Sequence, residues 1–188
     1  MKTSKFKPGS LLIAPPNMAD IRFSRSVILL VDHVDKDQYG GTIGICLNKP
    51  LNLCLKDIIS TDNNKIPELS LYWGGPVNSQ GIWMLHSSDW SCSQSWNISE
   101  EWTVSSSEEI IESILDGCPP AFYRLFLGHC GWGHRQLLDE IDTIDRDESL
   151  SWLIASEDIP ANIFSDDGTL LWRTALDKAK TETVMSWL

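Results

Sequence analysis

The most informative stretch of the chain is GHCGWGHRQL, residues 128–137. It follows an apolar run over residues 121–127 that predicts a strand, and it leads into residues 136–141, where apolar spacing predicts a helix. Three glycines within six residues allow the backbone to adopt positive φ and to approach other groups closely. The sequence therefore predicts a strand-to-helix turn at residues 128–133. If Gly131 has a structural role in this turn, alanine there would be strained; if the turn binds an anion, Gly131→Ala should abolish binding at a modest cost in stability.

Short elements separated by polar turns extend in both directions from this stretch. β-branched and alternating apolar residues predict strands, and residues 25–33 and 42–47 are expected to form a hairpin. A capping box at residues 106–109 predicts the start of a helix. The other predicted strands are 10–14, 71–73, 81–86 and one or two within 91–104; the predicted helices are 51–59, 109–116, 159–164 and 169–180. Antiparallel strand groups with helices between them predict one α+β domain over residues 9–188, after a flexible N-terminus at 1–8.

The composition is that of a globular protein with a strong acidic balance. The 188 residues carry 26 acidic and 15 basic side chains, which gives a formal net charge of −11. This charge disfavours direct binding to DNA, because affinity for DNA comes largely from basic residues. The sequence has no apolar run of about 18 residues, so no transmembrane helix is expected. Five cysteines without a framework spacing predict reduced thiols and a cytoplasmic location.

A series of short motifs runs along the chain in a fixed order. They are Leu12-Ile13-Ala14-x-Pro16, Asp20-x-x-Phe23-x-x-Ser26-Val27, His33, Gly41-x-x-Gly44, Asn48-Lys49-Pro50-Leu51, Gly74-Gly75-Pro76-Val77, Leu85-His86, Trp90, Leu127-Gly128-x-x-Gly131-Trp132-Gly133-x-x-Gln136-Leu137, Glu140-Ile141, Trp152-Leu153 and Trp172-Arg173-x-Ala175-Leu176. In this order the motifs resemble the AlgH/YqgE family of bacterial proteins, and the likeness runs from about residue 9 to residue 176. The resemblance implies a compact α+β fold with a mixed or barrel-like sheet, a historical label as a transcriptional regulator, and no established reaction. His129-Cys130 and Arg135 depart from the usual family residues.

The glycine-rich stretch is the first candidate site. Backbone N–H groups at a helix start favour anions, and His134 and Arg135 add cationic side chains. The residues of this predicted anion site are Gly131, Trp132, Gly133, His134, Arg135 and Gln136. The alternative is that the glycines serve tight packing and that Trp132 belongs to the core. Cys130, close to the helix start, is also a candidate for a reactive thiolate.

A polar cluster is the second candidate, with Arg25, His33 and Asn48 as further ligand-binding residues. The hairpin is expected to bring Asn48 to the Arg25 end of the first strand. A structural interpretation is that Asp20 caps a turn and pairs with Arg25, while Asn48 holds the following loop. Neither a metal site nor a cofactor is predicted, because no complete ligand set is present. The nine tryptophans are interpreted as core or interface residues.

Two classes of function follow from these observations. The favoured class is a non-enzymatic binding or regulatory protein that recognises a small anionic metabolite or an unidentified protein partner. The alternative is an enzyme that uses Asp20, Arg25, His33, Asn48 and His129, provided that a deep pocket joins them.

Overall fold

In the part of the chain that the structure describes, ten strands form one curled sheet, and four α-helices flank it. The computed structural model describes residues 6–34, 40–59, 66–142, 152–155, 163–164 and 168–185. The strands are β1 Leu11–Ile13, β2 Val27–Val34, β3 Gly41–Cys46, β4 Pro50–Cys54, β5 Ser70–Trp73, β6 Val77–Ser87, β7 Ser95–Asn97, β8 Trp102–Ser105, β9 Tyr123–Gly133 and β10 Leu153–Ala155. The helices are α1 Leu55–Ile58, α2 Glu109–Leu115, α3 Gln136–Asp142 and α4 Gly168–Met185.

The long strand β9 holds the sheet together. The main path of the sheet runs β10-β1-β2-β3-β9-β6-β8-β7, and β4 joins through β5. β9 pairs antiparallel with β3 and β6, and parallel with β5. All other pairings among the described strands are antiparallel. The sheet forms half of a barrel, which confirms the predicted α+β class and the largely antiparallel sheet.

Apolar residues cover both faces of the sheet because side chains alternate along each strand. Leu11 and Ile13 pack in the same cluster as Trp172 and Ala175 of α4. Leu12, which lies between them, packs on the other face with Leu137 and Ile141 of α3. A third cluster lies beneath α2, where Ile110 and Ile114 meet Leu71, Met84 and Leu125. The helices therefore approach the sheet from opposite sides.

Several predicted elements are confirmed, and others differ from the prediction. β2 and β3 form the predicted hairpin, and α2, α3 and α4 lie where helices were expected. The helix predicted at residues 51–59 is instead strand β4, which pairs with β5, followed by one helical turn. The capping box at 106–109 does not form, because the Glu109 carboxylate accepts from the backbone N–H of Ser93 at 3.0 Å.

The glycine-rich stretch also differs from its prediction. Gly131 and Gly133 lie within β9, opposite Ile43 and Gly41 of β3, so the strand continues where a turn was expected. Within the stretch, positive φ occurs at Gly128 (71°) and at Arg135 (60°) but not at Gly131. Pairing with β3 requires extended backbone, and this requirement overrides the local signal of the glycines.

The chain ends are described only in part. Phe6, within the stretch 1–8 that is expected to be flexible, is 3% exposed and packs on the His33 ring at 4.7 Å between centroids. Residues 1–5 lie outside the described part, as does Trp187. The helix predicted at 159–164 lies mostly outside the described residues, and residues 163–164 are in a turn.

Candidate functional site

The predicted ligand-binding residues lie at three separate places. Each place is defined by the residues that line a crevice or groove in the surface. The groups are His33, Gly133, His134 and Arg135 at one end of β2, Gly131, Trp132 and Gln136 beside α3, and Arg25 and Asn48 at the start of α4.

The crevice at His33 has no room for a ligand. It encloses about 10 Å³, which is the space of one water molecule. His33 Nδ1 is 2.8 Å from Thr42 Oγ1, and the N–H of Gly133 donates to Gln136 Oε1 at 3.0 Å. Since Gly131–Gly133 belong to β9, their N–H groups do not lie at a helix start as the sequence predicted.

A groove of about 350 Å³ lies between the turn at Ile21–Phe23, the end of β9 and α3. We call it the tryptophan groove. Its volume falls at the small end of the usual range of ligand pockets, about 300–1,000 Å³. Its lining residues are Met18, Asp20, Arg22, Phe23, Pro76, Cys130, Gly131, Trp132, Gln136, Glu140 and Trp152.

Glu140 fixes the walls of the tryptophan groove. Its Oε2 accepts from the indole N–H of Trp132 at 2.9 Å and from that of Trp152 at 3.0 Å. Its Oε1 accepts from Gln136 Nε2 at 2.9 Å. Both tryptophans are less than 10% exposed, so their N–H groups need partners inside the protein. One half-buried carboxylate therefore sets the orientation of both indoles.

Aromatic rings continue the wall toward the turn. Phe23 lies 5.5 Å from Trp73 and 5.6 Å from Trp152, measured between ring centroids, and Trp152 lies 6.4 Å from Trp132 in an edge-on arrangement. These distances are typical of favourable aromatic pairs. Trp132 and Trp152 belong to the second core cluster, as expected of core tryptophans, and they also line the groove.

The rim of the tryptophan groove carries an exposed apolar residue and an ion pair. Ile21 is 85% exposed, which is the largest exposure of any large apolar residue in the described chain. Asp20 pairs with Arg22 at 2.6 Å and caps the turn by accepting from the Arg22 N–H, so the predicted pair of Asp20 with Arg25 is wrong. Hydrogen bonds from Arg22 lower the pKa of Asp20.

Cys130 lines the tryptophan groove and is 1% exposed. Burial raises the pKa of its thiol well above the usual value. Its Sγ donates to the carbonyl of Gly74 at 3.4 Å. The thiolate is the nucleophilic form of cysteine, so this burial disfavours the reactive thiolate that was one candidate for this residue.

Arg25 and Asn48 line a second, open groove of about 640 Å³, which we call the basic groove. The Lys49 ammonium donates to the carbonyl of Ser24, and the Arg25 guanidinium lies 6.0 Å from the Trp172 ring. Asn48 is 5% exposed and lines this groove. It lies at the Arg25 end of β2, as the predicted hairpin implied. Among the residues that the structure describes, the lining includes two cations; its members are Ser24, Arg25, Asn48, Lys49, Pro50, Gly168 and Thr169.

The five polar residues considered for an enzyme do not come together at one site. Arg25 and Asn48 share the basic groove, but β2 separates them from His33 by about 20 Å, at about 3.3 Å per residue from Val27 to His33. His129 packs on the Trp83 ring at 5.1 Å between centroids, and burial lowers its pKa. No cavity found among the described residues joins all five side chains.

A serine–histidine pair is present elsewhere, but it is closed to solvent. His86 Nε2 is 2.8 Å from Ser105 Oγ, and both residues are 0% exposed. Burial lowers the pKa of His86, so the neutral ring is favoured. This pair supports the packing of β6 on β8 and has no access to a substrate.

Glu140 and Trp152 were not among the candidate site residues, although both occur in the motifs that carried the family resemblance. For Glu140 a signal was present, because Gln136 and Glu140 are four residues apart in a predicted helix and therefore lie on the same face of it. Among the described residues, no three His, Cys, Asp or Glu side chains are arranged as metal ligands would be. None of the described helices has the length and hydropathy needed to span a membrane.

Comparison with known proteins gives a consistent family. A family model described as AlgH-like matches residues 11–184. A UPF0301 protein of Bacteroides fragilis is 33% identical over 178 residues, covering 93% of this chain and 85% of that protein. A UPF0301 protein of Paraburkholderia phymatum is 30% identical over 160 residues, covering 79% and 82%.

Solved structures agree with this result. The solution structure of the AlgH protein of Pseudomonas aeruginosa matches with a TM-score of 0.73 and 27% identity, and covers 95% of this chain and 92% of that one. A crystal structure of a Corynebacterium diphtheriae protein shares the fold, with a TM-score of 0.64 and 22% identity over 92% and 86% of the two chains. The chain belongs to the AlgH-like family.

Proposed function

We propose that this chain is a non-enzymatic binding protein that docks a partner protein at the tryptophan groove. It acts in the cytoplasm, where its five free thiols stay reduced. Any regulatory role is exerted through this contact and not through DNA, because a net charge of −11 opposes binding to phosphates.

The observation that carries the proposal is the exposure of Ile21 beside a groove walled by aromatic rings. A branched apolar side chain that is 85% exposed gains most when a partner covers it. The groove adjoining it presents Met18, Phe23 and Trp132, together with the Arg22 guanidinium. Methionine, aromatic residues and arginine are the types enriched in the centres of protein interfaces.

The test uses two substitutions of exposed apolar residues. Ile21→Asp should abolish capture of a partner from a lysate of the organism, while Leu53→Asp should leave it intact. Leu53 is 43% exposed and lies on β4, away from the tryptophan groove. With the captured protein purified, calorimetry should give a dissociation constant raised at least about 30-fold by Ile21→Asp, as for an interface residue worth about 2 kcal/mol. Equal binding by both variants, or equal loss in both, would contradict the proposal.

A second candidate function is the binding of a small anionic metabolite at the basic groove. The support is its lining, in which two cations, Arg25 and Lys49, lie together in a protein that is otherwise acidic. The first backbone N–H groups of α4 lie at the same groove, at Gly168 and Thr169, and the N-terminal end of a helix favours negative charge. Both supports point to an anion.

Inorganic phosphate is the probe for this second candidate. Arg25→Asn should weaken its binding at least tenfold, or about 1.4 kcal/mol. Asparagine tolerates the left-handed backbone of Arg25 (φ 54°), and Arg135→Asn is the control because that residue is also exposed and left-handed (φ 60°). Calorimetry at low ionic strength measures both variants. The second candidate fails if phosphate does not bind the wild type, or if both variants weaken binding alike.

A further inference from the structure

We infer that the partner docked at the tryptophan groove is a second copy of this chain. Ile21 of each copy enters the groove of the other, so the contact has two-fold symmetry. This inference rests on the proposed function, since it names the partner at the same groove.

Ile21 and the groove that receives it lie on the same face of the protein. Ile21 is 85% exposed, and its chain neighbours Asp20 and Arg22 both line the groove, whose volume of about 350 Å³ accommodates a branched side chain. A projecting side chain beside a recess makes a surface complementary to itself, because a two-fold axis between them places each projection over the recess of the other copy. Such a contact closes at the dimer, since both copies bury the same patch.

The accessible rim of the groove is apolar on two sides. Met18 and Phe23 are half-buried on the side of the turn, and Pro76 is exposed on the side of β9. Val77, which follows Pro76 and pairs with β9, is 42% exposed and extends this apolar rim. An isoleucine that enters between the two sides removes its own apolar surface and theirs from water, and this burial supplies the affinity.

The charges beside Ile21 match those of a second copy. The order Asp20-Ile21-Arg22 is acid, apolar, base, so when two copies meet in opposite directions the acid of one faces the base of the other. Within one copy Asp20 and Arg22 form a pair at 2.6 Å, and both side chains remain partly exposed. Two such pairs that meet across the axis form a ring of four alternating charges. Exposed pairs contribute little affinity, but they fix the orientation of the contact and disfavour like charges.

The net charge of −11 acts against association of two copies and makes it depend on salt. Copies of like charge repel over distances that salt shortens, since the Debye length falls from about 30 Å at about 0.01 M to about 8 Å at about 0.15 M ionic strength. The apolar contact at Ile21 acts only at close range. We therefore expect the dimer fraction to rise with ionic strength, whereas an association driven by opposite net charges weakens with salt.

Analytical ultracentrifugation of a concentration series at physiological ionic strength tests the inference with two charge variants. Asp20→Arg places cations on both sides of Ile21, and Arg22→Asp places carboxylates on both sides. Each variant alone should have an association constant at least about tenfold below that of the wild type, because like charges then face each other across the axis. Mixed in equal amounts, the two variants should associate again, since every cation faces a carboxylate.

Recovery in the mixture has two further uses. It shows that both variants are folded, although Asp20→Arg removes the side chain that caps the turn. It also cannot come from net charge, because both variants remain strongly acidic. Only the order of charges around Ile21 differs between the variants that fail alone and the mixture that associates.

Ile21→Asp and Leu53→Asp form a matched pair that isolates the apolar contact. Both place a carboxylate at an exposed apolar position, one on the turn and the other on β4. Ile21→Asp should stay monomeric at every concentration, while Leu53→Asp should associate as the wild type does.

The possible results separate this inference from the proposed function. The inference is overturned if the wild type is monomeric at every concentration and ionic strength, if its dimer fraction falls as salt is added, if the mixed charge variants do not associate, or if Leu53→Asp is impaired as much as Ile21→Asp. The proposed function is judged separately, by capture from the lysate. A monomeric wild type that captures a different protein, with capture abolished by Ile21→Asp, would leave the docking proposal standing and remove the second copy.

Discussion

Gly128→Ala is expected to destabilise the protein by about 2–5 kcal/mol, the sum of about 1–2 kcal/mol for a left-handed non-glycine residue and about 1–3 kcal/mol for overpacking. Gly128 has φ 71°, and a Cβ at this position would lie 2.4 Å from the carbonyl oxygen of Gly75. The obstruction is backbone and cannot be relieved by a change of rotamer. The Gly74-Gly75 segment would have to move away from β9.

Gly131→Ala is the control for this prediction. A Cβ at Gly131 would meet only Val77 Cγ2, at 3.6 Å, which is ordinary contact, and the backbone there is extended. Since glycine within a strand costs about 0.5–1 kcal/mol relative to alanine, Gly131→Ala should be neutral or slightly stabilising. Urea denaturation of both variants measures the difference. Equal losses would show that β9 does not run through residues 128–133 as described.

The fold could be predicted from the sequence wherever a signal is local. The apolar run at residues 27–31 identifies β2, and the spacing of Leu171, Trp172, Ala175 and Ala179 identifies the buried face of α4. In each case the apolar residues are those buried in the core, and their arrangement along the chain is visible in the sequence alone. The same reasoning placed Asn48 beside Arg25, because a hairpin fixes which ends of two strands meet.

The end of β9 could not be placed by this reasoning, although the sequence contains the relevant pattern. Cys130 and Trp132 are buried, while Gly131 and Gly133 are exposed, which is the alternation of a strand. Glycine has no side chain to mark a buried or an exposed position, so the alternation was hard to recognise. The usual association of glycine with turns therefore decided the prediction. What extends the strand is pairing with Gly41–Gly44 of β3, which are some ninety residues away in the sequence.

The tryptophan groove was predicted in part for a similar reason. Trp132 and Gln136 were among the candidate residues, but Glu140 and Trp152 were not. Their contact joins α3 to the segment before β10, and helical spacing predicts only the Gln136–Glu140 part of it. The sign of the expected ligand also depended on a helix start that the structure assigns to a strand. Local patterns identified residues of the groove, and the tertiary arrangement determines its chemistry.

Asn48→Asp should produce the other large loss, about 3 kcal/mol or more at pH 7, because two part-buried carbonyl groups would lose their donor and face a negative charge. Asn48 Nδ2 donates to the carbonyls of Arg25 at 2.8 Å and Gly168 at 2.9 Å, and its Oδ1 accepts from the Val27 N–H at 2.9 Å. One side chain thus joins the start of β2, the end of β3 and the start of α4. A carboxylate of the same shape retains the bonds to Oδ1, from the Val27 N–H and the Cys46 thiol, but faces two carbonyl oxygens.

The loss caused by Asn48→Asp should depend on pH, with a sign that follows from linkage. Burial and the two carbonyls raise the pKa of the new carboxyl in the folded state above its unfolded value of about 3.9. The folded variant therefore binds the proton more tightly than the unfolded chain. Its stability relative to wild type is best preserved below about pH 4 and is lost as the pH rises through the raised pKa.

Denaturation of the variant and the wild type at several pH values between 4 and 7 measures this dependence. Asn52→Asp is the matched control, since Asn52 is exposed on β4 and makes the same change of charge without buried partners. It should cost within about 0.5 kcal/mol at every pH, as surface substitutions usually do. If the two variants lose the same stability, or if the loss at residue 48 does not grow with pH, then the amide does not hold the three elements together. The expected result would show that the hydrogen bonds of Asn48 hold Arg25 and Lys49 at the start of α4, where the basic groove is formed.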